Sequence, residues 1–170
     1  MNVREFRREF WKAFEGRKRN VPEDHYFDAS VRAQANLCPD VEGMMSIKKQ
    51  RLLNLAFRFL APDEAYLEVG TYKGKSLISA MIGNPPRTVY ACDNFAEFQE
   101  INNCYEVTVG NLRRYGLLDQ VAFHDCDFRD VYTPEKLKQP IGLYFYDGIH
   151  DEESQYDGIR LVEPFLADEA

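Results

Sequence analysis

Short apolar runs alternate with segments of helical period along most of the chain, and this alternation predicts the architecture. The apolar runs predict four strands, at Ala65–Val69, Thr88–Cys92, Val121–His124 and Ile141–Tyr146. Helical periods predict helices from Ser46 to about Leu60, at 76–82, at about 97–115 and at about 152–166. Because these strands are too apolar to leave one face in water, the order predicts a parallel α/β sheet with helices on both faces.

The first 45 residues follow a different pattern from the rest of the chain. Aromatic residues recur at helical spacing on one face of residues 1–20, opposite an excess of basic residues: Phe6, Phe10, Trp11 and Phe14. This pattern predicts a short amphipathic helix. It serves either as an arm that docks on its own domain or a dimer mate, or as a site for an anionic partner. Residues 20–45 have no sustained period, which predicts an irregular connection or lid.

Composition excludes several classes of protein. With 170 residues, 45% of them hydrophobic and 29% charged, the chain has the balance of one globular domain. Its 28 acidic and 21 basic residues give a net charge of −7, which disfavours nucleic acid and anionic membranes as partners. No apolar run is long enough to cross a bilayer, and the charged N-terminus is unlike a secretory leader, so we expect a cytoplasmic protein. The four cysteines are scattered, which is typical of buried thiols.

A glycine turn follows the first predicted strand and opens the next helix, over residues 66–76. Gly70 allows the backbone to turn close to a ligand, and Gly74 removes a side chain where turn and helix meet. The turn lies at the carboxyl edge of the sheet, where open parallel sheets bind ligands. Glu68 adds a carboxylate there, and Asp93 follows the second strand, where an acid can accept hydrogen bonds from a ribose diol.

Two kinds of nucleoside ligand use this geometry. A dinucleotide fingerprint of the form G-x-G-x-x-G requires a glycine at the position of Glu68. A carboxylate at that position repels a pyrophosphate but attracts the cationic amino end of S-adenosylmethionine. A nicotinamide-dependent oxidoreductase is therefore the weaker alternative.

Together these residues resemble class I S-adenosylmethionine-dependent methyltransferases, in the small-molecule O-methyltransferase-like branch. The resemblance runs from about Glu42 to Leu166 and includes the pattern E-x-G-x-x-x-G-x-S. It implies a Rossmann-like, S-adenosylmethionine-binding domain over 46–170, preceded by the helical arm and lid of residues 1–45. The domain is C-terminally incomplete, since the family fold has seven strands and only four are predicted here.

The resemblance also assigns roles to individual residues. Its cofactor-binding positions are Glu68, Gly70, Thr71, Gly74, Ser76, Asp93, Phe95 and Asp127. In the family, the first acid and the turn hold the methionine portion, and Asp93 holds the ribose. Asp127, with Asp125 as the alternative, meets the adenine amino group, and Phe95 lies against the adenine face. The segment that includes Met44 and Met45 closes over the sulfonium.

The run Asp147-Gly148-Ile149-His150 after the fourth strand resembles the D-G-x-H run of these relatives. The resemblance makes Asp147 and His150 the candidate catalytic residues, because a histidine suits general-base catalysis near neutral pH. A simpler interpretation stays open for both residues. An acid at a strand end often caps the next turn, and an exposed histidine often has no chemical role.

Three expectations follow from where the pattern departs from the family. No complete set of metal ligands is present: Asp147 matches one ligand of the metal-dependent relatives, but no later strand supplies the others, so a divalent metal lacks support. The outer edge of the fourth strand is expected to be unpaired, so either the natural chain continues past residue 170 or a partner, such as a second copy of the chain, covers this edge. The predicted function is methylation of a hydroxyl on a small molecule; the alternative is a non-catalytic methyltransferase-like module that binds a protein partner.

Overall fold

The computed structural model describes residues 1–14, 36–96 and 103–168, which form five α-helices and four strands. The helices are α1 (Val3–Phe14), α2 (Ile47–Arg58), α3 (Lys75–Met81), α4 (Cys104–Arg114) and α5 (Glu152–Val162). The strands are β1 (Ala65–Val69), β2 (Thr88–Cys92), β3 (Val121–His124) and β4 (Ile141–Tyr146). All four strands coincide with the predicted ones.

The strands form one parallel sheet in the order β3-β2-β1-β4. All five residues of the central strand β1 are buried. Alternate residues of the strands face two separate hydrophobic cores, so side chains of α2, α3 and α4 pack on one face and those of α5 on the other. The predicted α/β sheet with helices on both faces is confirmed.

Helix ends follow local capping and proline chemistry. The Ser46 side chain accepts a hydrogen bond from the backbone N–H of Lys49 and begins α2, as predicted. The last helix ends at Val162, earlier than predicted, because Pro164 lacks the N–H that α-helical pairing needs; a 3-10 turn at Glu163–Phe165 follows. Of the helix predicted at 97–115, residues 97–102 lie outside the described part. None of the described helices has the length and apolar character needed to span a membrane.

The N-terminal helix α1 packs on the end of α2. The backbone N–H of Asn2 donates to the carbonyl of Phe59 at 3.0 Å, and the rings of Phe6 and Phe59 meet edge to face with centroids 6.3 Å apart. This docking on its own domain matches the first interpretation of the arm. Trp11, placed on the apolar face from its spacing, is instead 60% exposed, because the contact with α2 covers only the start of the helix. An anionic partner for the basic face stays a prediction, and residues 15–35 lie outside the described part.

The outer edge of β4 is paired only at its start within the described residues. Leu166 forms a parallel bridge with Ile141, and the N–H of Ala167 donates to the Ile141 carbonyl at 2.9 Å. The last four residues of the strand are all half-buried, whereas every residue of β1 is buried. The second copy of the chain expected at this edge stays a prediction.

The turn after β1 depends on a glycine at position 70. Gly70 has a φ of +85°, and a methyl group added there would lie 2.3 Å from the backbone oxygen of Asp147. We expect Gly70→Ala to lower the free energy of unfolding by about 2–5 kcal/mol, combining the left-handed backbone cost with overpacking. Urea denaturation measures this. Gly83→Ala is the matched control, because its φ is +71° but nothing lies within 4 Å, so only about 1–2 kcal/mol should be lost. Equal losses in the two variants would contradict the close approach.

Candidate functional site

A cleft of about 710 Å³ opens at the carboxyl ends of the four strands. This volume is in the range of small-molecule and cofactor sites. Of the residues predicted from the sequence, those that line the cleft are Gly70, Thr71, Ser76, Asp93, Phe95, Asp127, Asp147 and His150. The topology thus brings residues from four separate strand ends into one site, as open parallel sheets commonly do. Glu68 and Gly74 are not among the lining residues.

The Asp93 carboxylate ties the turn after β1 to the end of β2. Its Oδ2 accepts hydrogen bonds from the backbone N–H groups of Thr71 at 2.7 Å and Tyr72 at 2.9 Å. Its Oδ1 accepts from the N–H of Phe95 at 2.7 Å. Tyr72 has a φ of +48°, so these bonds hold a backbone conformation that a non-glycine residue rarely adopts. A ligand hydroxyl therefore finds only the remaining lone pairs of Asp93, and the ribose contact stays a prediction.

Gly74 lies where the turn packs against α4. It is the N-cap residue of α3, with a φ of +82°, and a methyl group there would lie 3.2 Å from the methyl carbon of Thr108 in α4. The Thr108 hydroxyl donates to the carbonyl of Tyr72 at 2.6 Å. The turn lies close to the start of α3, as predicted, and it also lies close to α4.

Glu68 lies beneath the cleft and is fully buried. Its carboxyl group accepts hydrogen bonds from the Tyr66 hydroxyl at 2.5 Å and the Ser76 hydroxyl at 2.6 Å. Residues 66 and 68 share one face of β1, whereas Val69, which lines the cleft, lies on the other. Burial raises the pKa of Glu68 to about 8, although both hydroxyl groups lower it. The carboxyl is therefore mostly protonated at neutral pH, and it supports Ser76, which does line the cleft. Direct contact of Glu68 with a ligand stays a prediction.

Asp127 lies at the end of the cleft formed by β2 and β3. Its Oδ1 accepts from the N–H of Arg129 at 2.9 Å, which begins the 3-10 turn Phe128–Asp130. Asp125, the alternative from the sequence, is exposed and does not line the cleft. The geometry therefore separates the two acids that the sequence left as alternatives.

Phe95 is 6% exposed and contributes only part of its ring to this end of the cleft. Its ring stacks on that of Phe123, with centroids 5.8 Å apart and an interplanar angle of 9°. Its φ is +53°, a conformation that the hydrogen bond from its N–H to Asp93 helps to hold. Its predicted position against an adenine face stays untested.

Asp147 and His150 form a pair at the opposite end. The His150 Nε2 lies 3.5 Å from the Asp147 Oδ1, and both side chains are more than half exposed. The backbone between them follows β4 directly, since the Asp147 N–H donates to the carbonyl of Val69 at 2.8 Å. Met44 and Met45 line the cleft, as the resemblance implied. This pair is the one acid–base combination at the mouth of the cleft among the described residues.

The sequence analysis missed two lysines and two cysteines that line the cleft: Lys49, Lys75, Cys92 and Cys126. Lys75 donates to the carbonyl of Val41 at 2.8 Å and so holds the segment before α2 against α3. Lys49 is exposed in the first turn of α2. The sequence could have indicated both lysines, because each is a cation at the start of a helix. Lys49 comes three residues after the N-cap Ser46, and Lys75 directly follows the N-cap Gly74. The approach of the two cysteines had no signature in the sequence.

A buried lysine in the turn after β1 forms an ion pair with the segment before α2. Lys73 is 6% exposed, and its ammonium lies 2.6 Å from the Glu42 carboxylate. Lys73 lowers the pKa of Glu42, and Glu42 in turn raises the pKa of Lys73. Within residues 1–14, 36–96 and 103–168, no three side chains of His, Cys, Asp or Glu are grouped as a metal site requires.

A family model described as a methyltransferase domain matches residues 67–170, which include the turn, all of the strand ends and the Asp147–His150 pair. The chain belongs to this methyltransferase domain family. No curated protein matches the chain.

Solved structures share the fold of this methyltransferase domain. They include cofactor-bound Rv0187 from MTB, with a TM-score of 0.61, 22% identity, and coverage of 84% of this chain and 63% of that one. An O-methyltransferase from Bacillus cereus in complex with SAH has a TM-score of 0.55 and 19% identity, covering 94% and 67%. TomG, an O-methyltransferase from Streptomyces achromogenes in complex with SAM, has a TM-score of 0.58 and 17% identity, covering 98% and 70%.

The chain spans about two thirds of the length of these solved proteins. Their likeness confirms the Rossmann-like methyltransferase fold predicted from the sequence. It also agrees with the prediction that the described sheet is incomplete relative to the family, because part of each relative has no counterpart here.

The raised pKa of Glu68 predicts a pH-dependent stability. Because the folded state holds a proton at Glu68 up to about pH 8 and the unfolded state releases it near its ordinary value of 4.5, wild-type stability falls as the pH rises through that window. Glu68→Gln keeps the shape and cannot ionise. Its stability relative to wild type should therefore rise by roughly 2–4 kcal/mol between about pH 5 and pH 8.5. Urea denaturation at the two pH values measures the difference; a constant difference would show that Glu68 is ionised in the folded protein.

Proposed function

We propose that this protein is an S-adenosylmethionine-dependent methyltransferase that methylates a hydroxyl group of a small molecule. The observation that carries the proposal is the single cleft in which the turn after β1 meets Asp93, Asp127 and Asp147, each from a different strand end. Membership of the methyltransferase domain family supports it. The O-methyltransferases of similar fold that hold SAH or SAM support the choice of cofactor and acceptor. The cytoplasmic location predicted from the sequence is part of the same proposal.

The side chains around the cleft fit such a cofactor in charge and position. Asp127 has one oxygen left for the adenine amino group, since Arg129 uses the other. Asp93 offers its remaining lone pairs to the ribose. The ammonium of Lys49 lies at the other side of the turn, where a methionine carboxylate would need a positive charge. The Ser76 hydroxyl donates its proton to Glu68 and keeps lone pairs for the methionine ammonium.

The cofactor would supply an electrophilic methyl group, which would pass in line from the positively charged sulfur to an acceptor oxygen as the C–O bond forms and the C–S bond breaks. Asp147 lines the cleft, where a carboxylate favours a sulfonium, and Met44 and Met45 contribute apolar surface to the same cleft. Either Asp147 or His150 removes the acceptor proton, because both are at the mouth and 3.5 Å apart. Holding the acceptor close to the methyl group supplies the rest of the rate enhancement.

Calorimetric titration with S-adenosylhomocysteine tests the cofactor assignment. We expect Asp127→Asn to weaken binding about ten- to a hundredfold, because the amide keeps the oxygen that accepts from Arg129 but replaces the second oxygen with a donor. Asp125→Asn is the matched control and should change the affinity less than twofold. Absence of binding to the folded wild-type protein would overturn the proposed cofactor. Equal losses in both variants would overturn the position of the adenine.

Turnover with a panel of small hydroxylated acceptors identifies the base. Asp147→Asn and His150→Gln are compared in kcat and in affinity for S-adenosylhomocysteine. Replacing the base should lower kcat at least a hundredfold, which is in the range of general-base catalysis. Most of the loss in kcat/KM should come from kcat and little from KM. Cofactor binding with no turnover of any acceptor would instead favour the non-catalytic module.

A further inference from the structure

Two cysteine thiols lie against each other in the wall of the cleft. The Sγ atoms of Cys92 and Cys126 are 3.9 Å apart, and the Cys92 thiol also donates to the Cys126 carbonyl at 3.5 Å. Cys92 is fully buried at the end of β2, whereas Cys126 is half-buried after β3. Both line the cleft. The proposed catalysis uses neither thiol.

The parallel sheet brings the two cysteines together at the end of the cleft that also holds Asp93 and Asp127. Cys92 pairs with His124 in the register of β2 and β3, and Cys126 comes two residues later, where the chain turns over the strand end. Each cysteine directly precedes a carboxylate that lines the cleft, Asp93 or Asp127. A movement of the backbone at either cysteine therefore also moves the adjoining acid.

The two sulfurs differ in charge and burial, and this difference gives them different chemical roles. The ammonium of Lys136 lies 3.7 Å from the Cys126 Sγ and donates to the carbonyl of Asp130, which places Cys126 in the electropositive, partly exposed surroundings typical of reactive cysteines. Cys126 also faces the cleft with part of its surface exposed. Burial raises the pKa of Cys92, as does the neighbouring Cys126, so Cys92 stays a protonated thiol. Cys126 is thus the sulfur that an oxidant meets first, and Cys92 is the second, resolving thiol.

We propose that Cys92 and Cys126 form a reversible oxidation site, in which a hydroperoxide links them into a disulfide that weakens cofactor binding. The Cys126 thiolate attacks hydrogen peroxide and becomes a sulfenic acid, releasing hydroxide, which takes up a proton to give water. The Cys92 sulfur then attacks the sulfenic sulfur and gives its proton to the departing hydroxyl group, so the S–S bond forms as the S–O bond breaks and a second water leaves. The sum is two thiols and one peroxide converted to one disulfide and two waters.

The link changes the cleft because the sulfurs must approach from 3.9 Å to about 2.05 Å. Any backbone movement at residues 92 and 126 that helps to close this gap displaces the adjoining acids. Asp93 would then lose alignment with the N–H groups of Thr71 and Tyr72, which it holds at 2.7 and 2.9 Å. This consequence for binding rests on the proposed function, whereas formation of the disulfide does not.

The experiment measures the disulfide and the affinity separately. The whole protein is treated with hydrogen peroxide, free thiols are blocked, and peptide mass spectrometry determines whether residues 92 and 126 are joined, with a loss of two hydrogens. Titration with S-adenosylhomocysteine follows before oxidation, after it, and after reduction with dithiothreitol. We expect the 92–126 link to form, the affinity to fall at least tenfold, and reduction to restore it.

Variants assign the effect to the pair. Cys126→Ser and Cys92→Ser should each abolish the link and make the affinity before and after peroxide equal within each variant. Cys104→Ser is the matched control, because Cys104 is also buried but does not line the cleft, and it should retain the full response to peroxide.

Three outcomes would overturn the proposal. They are a folded protein in which Cys126 is oxidised without joining Cys92, a disulfide between chains instead, and a 92–126 link that leaves the affinity unchanged. If the reduced protein binds no S-adenosylhomocysteine while the 92–126 link still forms, the oxidation site stands and the proposed cofactor fails.

Discussion

The hydrogen bonds from the Thr71 and Tyr72 amides to the Asp93 carboxylate are the constraint on which the site depends. A charged acceptor at the end of β2 holds a turn that starts at the end of β1, so two parallel strands and the turn between sheet and α3 become one rigid unit. Charge-assisted bonds of this kind are among the stronger ones in proteins. The same acid that faces the cleft is therefore also the one that shapes its floor.

The acids of the strand ends form two layers with different electrostatics. Asp127 and Asp147 line the open cleft and stay in contact with water. Glu68, one layer beneath, is excluded from water, its pKa is raised to about 8, and two hydroxyl groups donate to it. Burial makes Glu68 a neutral support for Ser76, while the outer acids lie where a ligand in the cleft can reach them. Alternation of side chains along β1 is what separates the layers.

The core of the sheet also explains why the glycines of the turn are required. Gly70 is needed because the backbone of Asp147, from the far side of β1, passes where a side chain would be. Gly74 is needed because α4 presses on the turn through Thr108. The sequence analysis attributed these glycines to the ligand and to the helix start; the structure adds that neighbouring elements occupy the space. Cys92 and Cys126 lie close together because β2 pairs with β3.

The amino-acid sequence by itself determined the four strands, the N-cap at Ser46 and the acids at the strand ends, because apolar periodicity and capping are local properties. Glu68 does not exert the electrostatic attraction expected from the sequence, because the structure buries it beneath the cleft and raises its pKa to about 8. Only the tertiary structure decided which face each acid takes, that Asp127 rather than Asp125 lines the cleft, that Lys49 joins it, and that two distant cysteines lie 3.9 Å apart. Those outcomes depend on register and packing between segments far apart in the chain, which no local pattern encodes.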